Sequence, residues 1–303
     1  MNQYTLAGCG AIVLWSSNVA LIRHVTEQLG PLGGAAAIYT LASVFLILFV
    51  GAPKLSDFPR RYLVGGGVLF VVYELCLALS LAWANTRTQA IEMGVINYLW
   101  PCLTVLLSVI LMRQKVSLWL YPALTVAFMG VVWTVGGENG VSWPHLVANI
   151  QTNPLSYFLA FSGAIIWAIY CNITKMHAQG KNGITWFFCA TAATLWVGYA
   201  FSDAPPLTLS WANSPYVLFA GLAMGGGYGL WNMGILKGNL VFLATLSYFI
   251  PILSTFLSAI LLSTPLTLAF WQGVVMVTLG SLASWWLTRT PLPEKAPKTA
   301  STH

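Results

Sequence analysis

Charged residues are sparse along the whole chain, and this feature constrains the fold more than any other. Only 7% of the 303 residues are charged, 58% are hydrophobic, and apolar stretches recur from one end to the other. A soluble domain carries about 25% charged residues, and a disordered chain combines low hydrophobicity with high net charge. The sequence therefore predicts a polytopic membrane protein.

The apolar stretches have the length that crosses a bilayer. A transmembrane helix needs about 20 apolar residues, and these runs are continuous, whereas the strands of a membrane β-barrel alternate. Turn-forming pairs such as Gly30-Pro31 and Gly136-Gly137 separate them. We predict an all-α fold of ten transmembrane helices at residues 4–25, 33–50, 62–84, 89–112, 117–135, 155–177, 184–201, 215–236, 240–262 and 267–288.

The basic residues orient these helices, because loops rich in Lys and Arg stay in the cytoplasm. If the N-terminus is cytoplasmic, only Arg23 and Arg87 of the 13 Lys and Arg residues face outward. The long connection 136–154 has no Lys or Arg and lies outside. An even number of spans then puts both termini in the cytoplasm.

Two segments 150 residues apart resemble each other. Residues 97–112 and 247–262 share seven of sixteen positions, including Tyr98 with Tyr248 and Pro101 with Pro251. Other offsets pair Trp15 with Trp167 (152 residues) and Tyr73 with Tyr228 (155 residues). We therefore predict two copies of a five-helix unit.

Because five is odd, the second copy enters the membrane upside down, and the two copies form an inverted repeat around a central cavity. The predicted organisation is a first repeat at 1–135, an external connecting loop at 136–154, a second, inverted repeat at 155–288, and a disordered cytoplasmic tail at 289–303.

Glu74 lies near the middle of the third predicted helix, where a carboxylate is costly and faces a bundle interior or a wet cavity. It is a candidate for binding a substrate ammonium group or for carrying a proton. The alternative is a structural hydrogen bond between helices. Glu92 lies closer to the outer surface. There, a solvated carboxylate at a helix start fits the sequence at least as well as a functional carboxylate does.

Several aromatic residues lie too deep for the interfacial belts in which Trp and Tyr collect. Their O–H and N–H groups need partners, and their rings suit planar rings or ammonium groups; ordinary helix packing is the alternative. The predicted substrate-binding residues of this kind are Trp15, Tyr73, Tyr98, Trp100, Trp167, Tyr170, Trp231 and Tyr248, and Asn18 shares a helix face with Trp15.

Pro101 and Pro251 lie at equivalent positions inside the fourth and ninth predicted helices. Proline removes a backbone hydrogen bond inside a helix and bends it. We predict that these two residues act as hinges. Asn97 lies on the same helix face as Pro101 and is a further candidate for the cavity.

The sequence carries no HExxH, P-loop or GxSxG motif and no His/Cys set with metal-ligand spacing. The basic residues are scattered singly and form no stripe that would bind nucleic acid. We predict that the protein is not an enzyme, has no catalytic residue, no metal and no cofactor, and does not use ATP.

Ten helices in two five-helix copies, together with a set of specific strings, resemble the drug/metabolite transporter superfamily of the EamA type. These strings are Tyr-Glu-Leu-Cys-Leu-Ala-Leu-Ser (73–80), Gln-Ala-Ile-Glu (89–92), Asn-Tyr-Leu-Trp-Pro (97–101), Pro-Leu-Ser-Tyr-Phe-Leu-Ala-Phe (154–161), Trp-Asn-Met-Gly-Ile-Leu (231–236) and Ser-Tyr-Phe-Ile-Pro (247–251). The resemblance implies that eight residues bind the substrate: Tyr73, Glu74, Asn97, Tyr98, Trp100, Trp231, Asn232 and Tyr248.

The resemblance implies a multi-pass exporter of aromatic and other amino acids in the bacterial inner membrane. We predict a secondary transporter that works by alternating access, with amino acid substrates, the lipid bilayer as its environment and protons as a candidate coupling ion. The alternative is a multidrug exporter of aromatic or lipophilic cations. A membrane-embedded enzyme or scaffold is disfavoured by the missing catalytic motifs.

Overall fold

The computed structural model describes residues 2–111, 116–136, 143–237 and 239–288. Within these ranges all regular elements are helical, in accord with the predicted fold class. The first half contains α1 (Gln3–Leu29), α2 (Pro31–Phe49), α3 (Gly67–Ala82), α4 (Arg87–Asn97), α5 (Trp100–Leu111), α6 (Leu120–Val135) and α7 (Trp143–Thr152). The second half contains α8 (Pro154–His177), α9 (Ile184–Ala200), α10 (Ser214–Gly221), α11 (Gly227–Lys237), α12 (Leu240–Ser247), α13 (Ile250–Leu261) and α14 (Leu268–Thr288).

Six helical segments are long and apolar enough to cross a membrane. They are Gln3–Leu29, Pro31–Phe49, Tyr62–Ala82, Arg87–Leu111, Pro154–His177 and Leu268–Thr288, and three shorter apolar helices accompany them. The chain is therefore a multi-pass membrane protein, as its composition predicts.

Two helices that the sequence predicts as continuous are interrupted. α4 ends at Asn97 and α5 begins at Trp100, while α12 ends at Ser247 and α13 begins at Ile250. Pro101 and Pro251 explain both breaks, because a proline lacks the N–H that would bond the carbonyl four residues earlier, and its ring clashes with that carbonyl. The carbonyls concerned belong to Asn97 and Ser247, where α4 and α12 end.

Two helices begin with a widened turn. A π-helical turn at Tyr62–Gly66 leads directly into α3, and another at Leu222–Gly226 joins α10 to α11. Such a turn inserts one extra residue into an α-helix and is frequent at functional sites.

The helices contact one another in matching pairs. α1 packs most extensively against α11 and α13, and α8 packs most extensively against α3 and α5. α2 packs against α9, and α6 against α14. The α6–α14 contact is very close: a Cβ atom added at Gly130 would lie 2.6 Å from the Gly273 carbonyl oxygen. Small residues of this kind let membrane helices approach each other.

An ion-pair network ties four helix ends together at one end of the bundle. The Arg23 guanidinium donates to Glu27 Oε1 (2.8 Å) and to the Ala84 carbonyl (2.6 Å). Arg87 donates to Glu27 Oε2 (2.8 Å) and to the Leu262 carbonyl (2.9 Å). The network links α1 with the end of α3, the start of α4 and the end of α13.

The connection predicted as a loop contains the short helix α7, which a second polar network fastens to the same end. Asn149 donates to Glu92 Oε2 (3.2 Å) and to the Val135 carbonyl (3.2 Å), and the Tyr157 hydroxyl donates to Glu92 Oε2. Glu92 is only 7% exposed. The interpretation of Glu92 as a solvated carboxylate at a helix start is therefore wrong, because α7 and α8 cover the carboxylate.

Candidate functional site

A cavity of about 270 Å³ lies between helices from both halves of the chain. Its walls come from α1, α3, α8 and α11 and from the residues around the breaks that precede Pro101 and Pro251. Nine of the twelve predicted binding residues line it: Trp15, Asn18, Tyr73, Glu74, Asn97, Tyr98, Trp100, Trp167 and Trp231. The structure thus brings together residues that are up to 216 positions apart in the chain.

The other three predicted residues are not among the described lining residues. Tyr170 stacks against Trp167, with ring centroids 4.9 Å apart, and supports that wall from behind. Tyr248 lines a separate small pocket together with both prolines, Pro101 and Pro251. The side chain of Asn232 lies outside the described residues.

Glu74 is the acidic group of the cavity wall, and two tyrosines hold it. The Tyr39 hydroxyl donates to Glu74 Oε2 at 2.6 Å, whereas the Tyr228 hydroxyl lies 3.5 Å from Oε1. Tyr39 is fully buried and stacks on Phe188. One carboxylate oxygen is therefore anchored from behind, and the other has the weaker bond and remains able to bind a positive group or a proton.

Aromatic rings form two facing walls. On one wall, Trp15 contacts Tyr228 edge to face (5.1 Å between ring centroids) and Trp231 (5.2 Å). On the other wall, the Tyr73 and Trp167 rings lie 4.4 Å apart. Ring faces of this kind attract planar rings and ammonium groups. The chemistry of these walls is compatible with an aromatic group in the cavity.

Three buried polar atoms of the wall have no hydrogen-bond partner among the described protein atoms: Trp15 Nε1, Asn18 Oδ1 and Asn97 Oδ1. The two amide nitrogens make weak bonds: Asn18 Nδ2 donates to the thioether sulfur of Met224 (3.2 Å), and Asn97 Nδ2 donates to the Tyr73 hydroxyl at a long 3.5 Å. Buried polar groups are normally paired, and these atoms are not exposed at the cavity surface, so they can bond a substrate only after their side chains rotate.

Sequence reasoning missed part of the site. Tyr228 was recognised only as the repeat partner of Tyr73, although the same repeat that marks Trp15 and Trp167 could have placed it in the cavity. Tyr39 carries no sequence signal, since it is one tyrosine inside an apolar run and meets Glu74 only in the folded bundle.

A metal site is not formed by the part of the chain that the structure describes, because it contains no group of three His, Cys, Asp or Glu side chains close enough to share an ion. The described lining residues also offer no phosphate-binding loop or nucleophile–base pair. The arrangement can bind an aromatic, polar small molecule and can hold one positive charge.

Known proteins resemble this chain over almost its whole length. The EamA-like transporter family matches residues 3–136 and again residues 154–286. The aromatic amino acid exporter YddG of Salmonella typhimurium (strain 14028s / SGSC 2262) is 51% identical over 288 residues, which cover 95% of this chain and 98% of that protein. The protein of the same name from Escherichia coli (strain K12) is 50% identical with the same coverage.

Two further proteins resemble this chain at lower sequence identity. The aromatic amino acid exporter YddG of Ancylobacter novellus is 29% identical over 273 residues, which cover 84% of this chain and 88% of that protein. A solved crystal structure superposes with a TM-score of 0.66 at 25% identity and covers 94% of this chain and 98% of its own. The chain belongs to the EamA-like transporter family.

Proposed function

We propose that this protein is a secondary transporter that exports amino acids, with aromatic ones favoured, from the bacterial cytoplasm. The observation that carries the proposal is the aromatic-walled cavity with one buried carboxylate. The 50% and 51% identity to two aromatic amino acid exporters, over 95% of the chain, supports it.

In the proposed binding mode the substrate ring stacks on the aromatic walls, and its ammonium group meets the carboxylate of Glu74. After rotation of their side chains, the unpaired oxygens of Asn18 and Asn97 would be further acceptors for the ammonium group. The substrate carboxylate uses neutral donors such as the tyrosine hydroxyls and the indole N–H of Trp15.

The proposed architecture is ten transmembrane helices in two inverted repeats, at 1–135 and 155–288, joined by the external segment 136–154. Three observations support it. The family model matches the chain twice. The contacts of α1 with α11 and α13 mirror those of α8 with α3 and α5. Finally, the pair Trp15–Tyr228 mirrors Trp167–Tyr73 across the cavity.

Transport in this proposal proceeds by alternating access, with the helix breaks that precede Pro101 and Pro251 as hinges. A break leaves two short helices joined by a few residues that can absorb a change in backbone angles. Both breaks border the cavity, since Tyr98 and Trp100 line it on one side and Ser247 and Ile250 on the other. Tyr248 lines a small pocket together with both prolines and belongs to this hinge region.

The proposed location is the bacterial inner membrane, with both termini in the cytoplasm. The distribution of Lys and Arg supports this orientation, since Arg23 and Arg87 are the two basic residues that it places outside. The pair lies at the end of the bundle where α7 is fastened.

The test measures efflux of preloaded labelled phenylalanine and tryptophan from liposomes that contain the purified protein, with and without a pH gradient. We expect faster efflux than from protein-free liposomes, and Glu74→Gln should raise KM for both substrates. If Glu74 also carries a proton, Glu74→Gln removes the effect of the pH gradient. Efflux equal to that from protein-free liposomes would refute the proposed function.

Glu92→Gln is the matched control. Glu92 is also a buried glutamate that accepts a hydrogen bond from a tyrosine, but it lies outside the cavity lining. We expect this variant to keep the substrate KM of the unmodified protein. A rise in KM as large as that of Glu74→Gln would show that any buried carboxylate has the same effect and that Glu74 holds no special position.

A further inference from the structure

The described part of the cavity wall carries negative charge and no positive charge. Among its described lining residues, Glu74 is the carboxylate, and no Lys, Arg or His side chain is present. The two tyrosine hydroxyls next to Glu74 donate to it, which suits an ionised carboxylate. An amino acid brings one positive and one negative group into this space, and the wall supplies an opposite charge for the positive group alone.

Arg23 lies one residue beyond the lining residue Ile22, but its guanidinium is engaged elsewhere. Its Nε donates to Glu27 at 2.8 Å, and its Nη1 donates to the carbonyls of Leu81 (3.1 Å) and Ala84 (2.6 Å). These bonds hold the positive charge in the ion-pair network at the bundle end. The guanidinium therefore does not balance a carboxylate in the cavity.

Of the three unpaired polar atoms of the described cavity wall, two are acceptors and the third, Trp15 Nε1, is a donor. Asn18 Oδ1 and Asn97 Oδ1 are buried acceptors without a partner. An ammonium group has three donors and no acceptor, whereas a carboxylate has acceptors only. The two oxygens therefore suit an ammonium group. A carboxylate finds only the neutral N–H of Trp15 among these atoms, so it gives up hydration without gaining an ion pair.

We propose that the cavity also accepts aromatic primary amines, which are aromatic amino acids without the carboxylate, as transported substrates. This inference rests on the proposed function, since it uses the same ring-binding walls and the same contact between ammonium and Glu74. The amine keeps both contacts that the wall provides, and it lacks the one group for which the described wall has no counter-charge.

Three compounds with the same ring form a matched set for the test. Tyrosine carries both the ammonium and the carboxylate group, tyramine carries the ammonium group alone, and 3-(4-hydroxyphenyl)propionate carries the carboxylate group alone. Each compound is titrated against efflux of labelled phenylalanine from liposomes that contain the full-length protein. We expect tyramine to inhibit at a concentration equal to or below that of tyrosine. The propionate should need a concentration at least about tenfold higher, because it lacks the hydrogen bond to a charged group. Equal or stronger inhibition by the propionate than by tyramine would overturn the inference.

Trans-stimulation distinguishes a transported amine from one that only blocks the cavity. Labelled phenylalanine uptake is measured in the first seconds into liposomes preloaded with tyramine, and protein-free liposomes report leakage. Faster uptake than into buffer-loaded liposomes is expected, and slower uptake would refute transport of the amine. Glu74→Gln should weaken inhibition by tyramine at least about tenfold, and unchanged inhibition would overturn the role of Glu74.

Direct binding separates this inference from the proposed function. If labelled phenylalanine shows no protein-dependent efflux, the proposed amino acid function fails, and calorimetric titration of the purified protein with tyramine and with the propionate still decides the amine site. Binding of tyramine without binding of the propionate supports it. Absence of tyramine binding refutes it.

Discussion

Tyr39→Phe tests whether a residue outside the cavity sets the affinity for the substrate. Tyr39 donates to Glu74 Oε2 at 2.6 Å, is fully buried, and stacks on Phe188 with ring centroids 5.6 Å apart. The substitution deletes one hydroxyl and keeps the ring, so the stacking persists. The carboxylate loses its anchor and is free to turn away from the position where it meets the substrate ammonium.

The expected size follows from the bond that is lost. A hydrogen bond to a charged group contributes about 1.5–3 kcal/mol, and about 1.4 kcal/mol corresponds to a factor of ten. We therefore expect Tyr39→Phe to raise KM for phenylalanine efflux by about ten- to a hundredfold. The maximal rate should change much less, because the hydroxyl does not touch the helix breaks.

A double-mutant cycle provides the assay that decides the argument. KM is measured for the unmodified protein, Tyr39→Phe, Glu74→Gln and the double variant. If Tyr39 acts through the charge of Glu74, its substitution should change KM less than about threefold in the Glu74→Gln background, where a weaker, neutral hydrogen bond is lost. The same factor in both backgrounds would refute the reasoning.

Tyr62→Phe is the control for loss of a buried hydroxyl. Tyr62 is also fully buried, and its hydroxyl accepts from the Gly183 N–H (3.2 Å), whereas the tyrosines bonded to Glu74 are Tyr39 and Tyr228. We expect this variant to keep KM.

Three further substitutions test the packing and the helix-end networks. Gly130→Ala should lower the melting temperature of the purified protein, because its Cβ would clash with α14 and overpacking costs about 1–3 kcal/mol; Gly65→Ala, where a Cβ meets no atom within 4 Å, should leave the melt unchanged. Asn149→Ala should speed amide hydrogen exchange in α7, whereas His145→Ala on the exposed side of α7 should not. Equal exchange rates in both variants would show that Asn149 does not fasten α7. Glu27→Gln should lower the melting temperature, since it weakens both ion pairs at the end of α1; a melt like that of the unmodified protein would show that the network adds no stability.

The sequence was sufficient for most helix positions because a membrane span is set by one variable, apolar length. The predicted helix 155–177 and the observed Pro154–His177 differ by one residue at one end. Proline chemistry also located the interruptions, although it indicated bends where the structure has full breaks after Asn97 and Ser247. The helix α7 was missed because its ten residues are too short and too polar to stand out as a span.

The cavity was partly predictable for a different reason. Depth along a helix can be counted, so Trp15 and Glu74 could be placed near the same level before any fold was known. Depth does not give the direction in which a side chain points, so the depth argument groups Tyr170 with the cavity residues although it packs one layer behind Trp167. Contacts such as Tyr39 with Glu74 depend on which helices become neighbours, and no local pattern encodes that.

The widened turn at Leu222–Gly226 determines the direction in which each later side chain of the same helix points. Met224 lines the cavity from within the turn, and Tyr228 and Trp231 line it from the helix beyond. Removing one residue there would restore an ordinary α-turn, rotate the following helix by about 100° and shift it by about 1.5 Å along its axis. The aromatic face would then point at a neighbouring helix or at lipid, so a one-residue deletion in this glycine-rich stretch would remove one aromatic wall of the cavity without altering any residue that forms it.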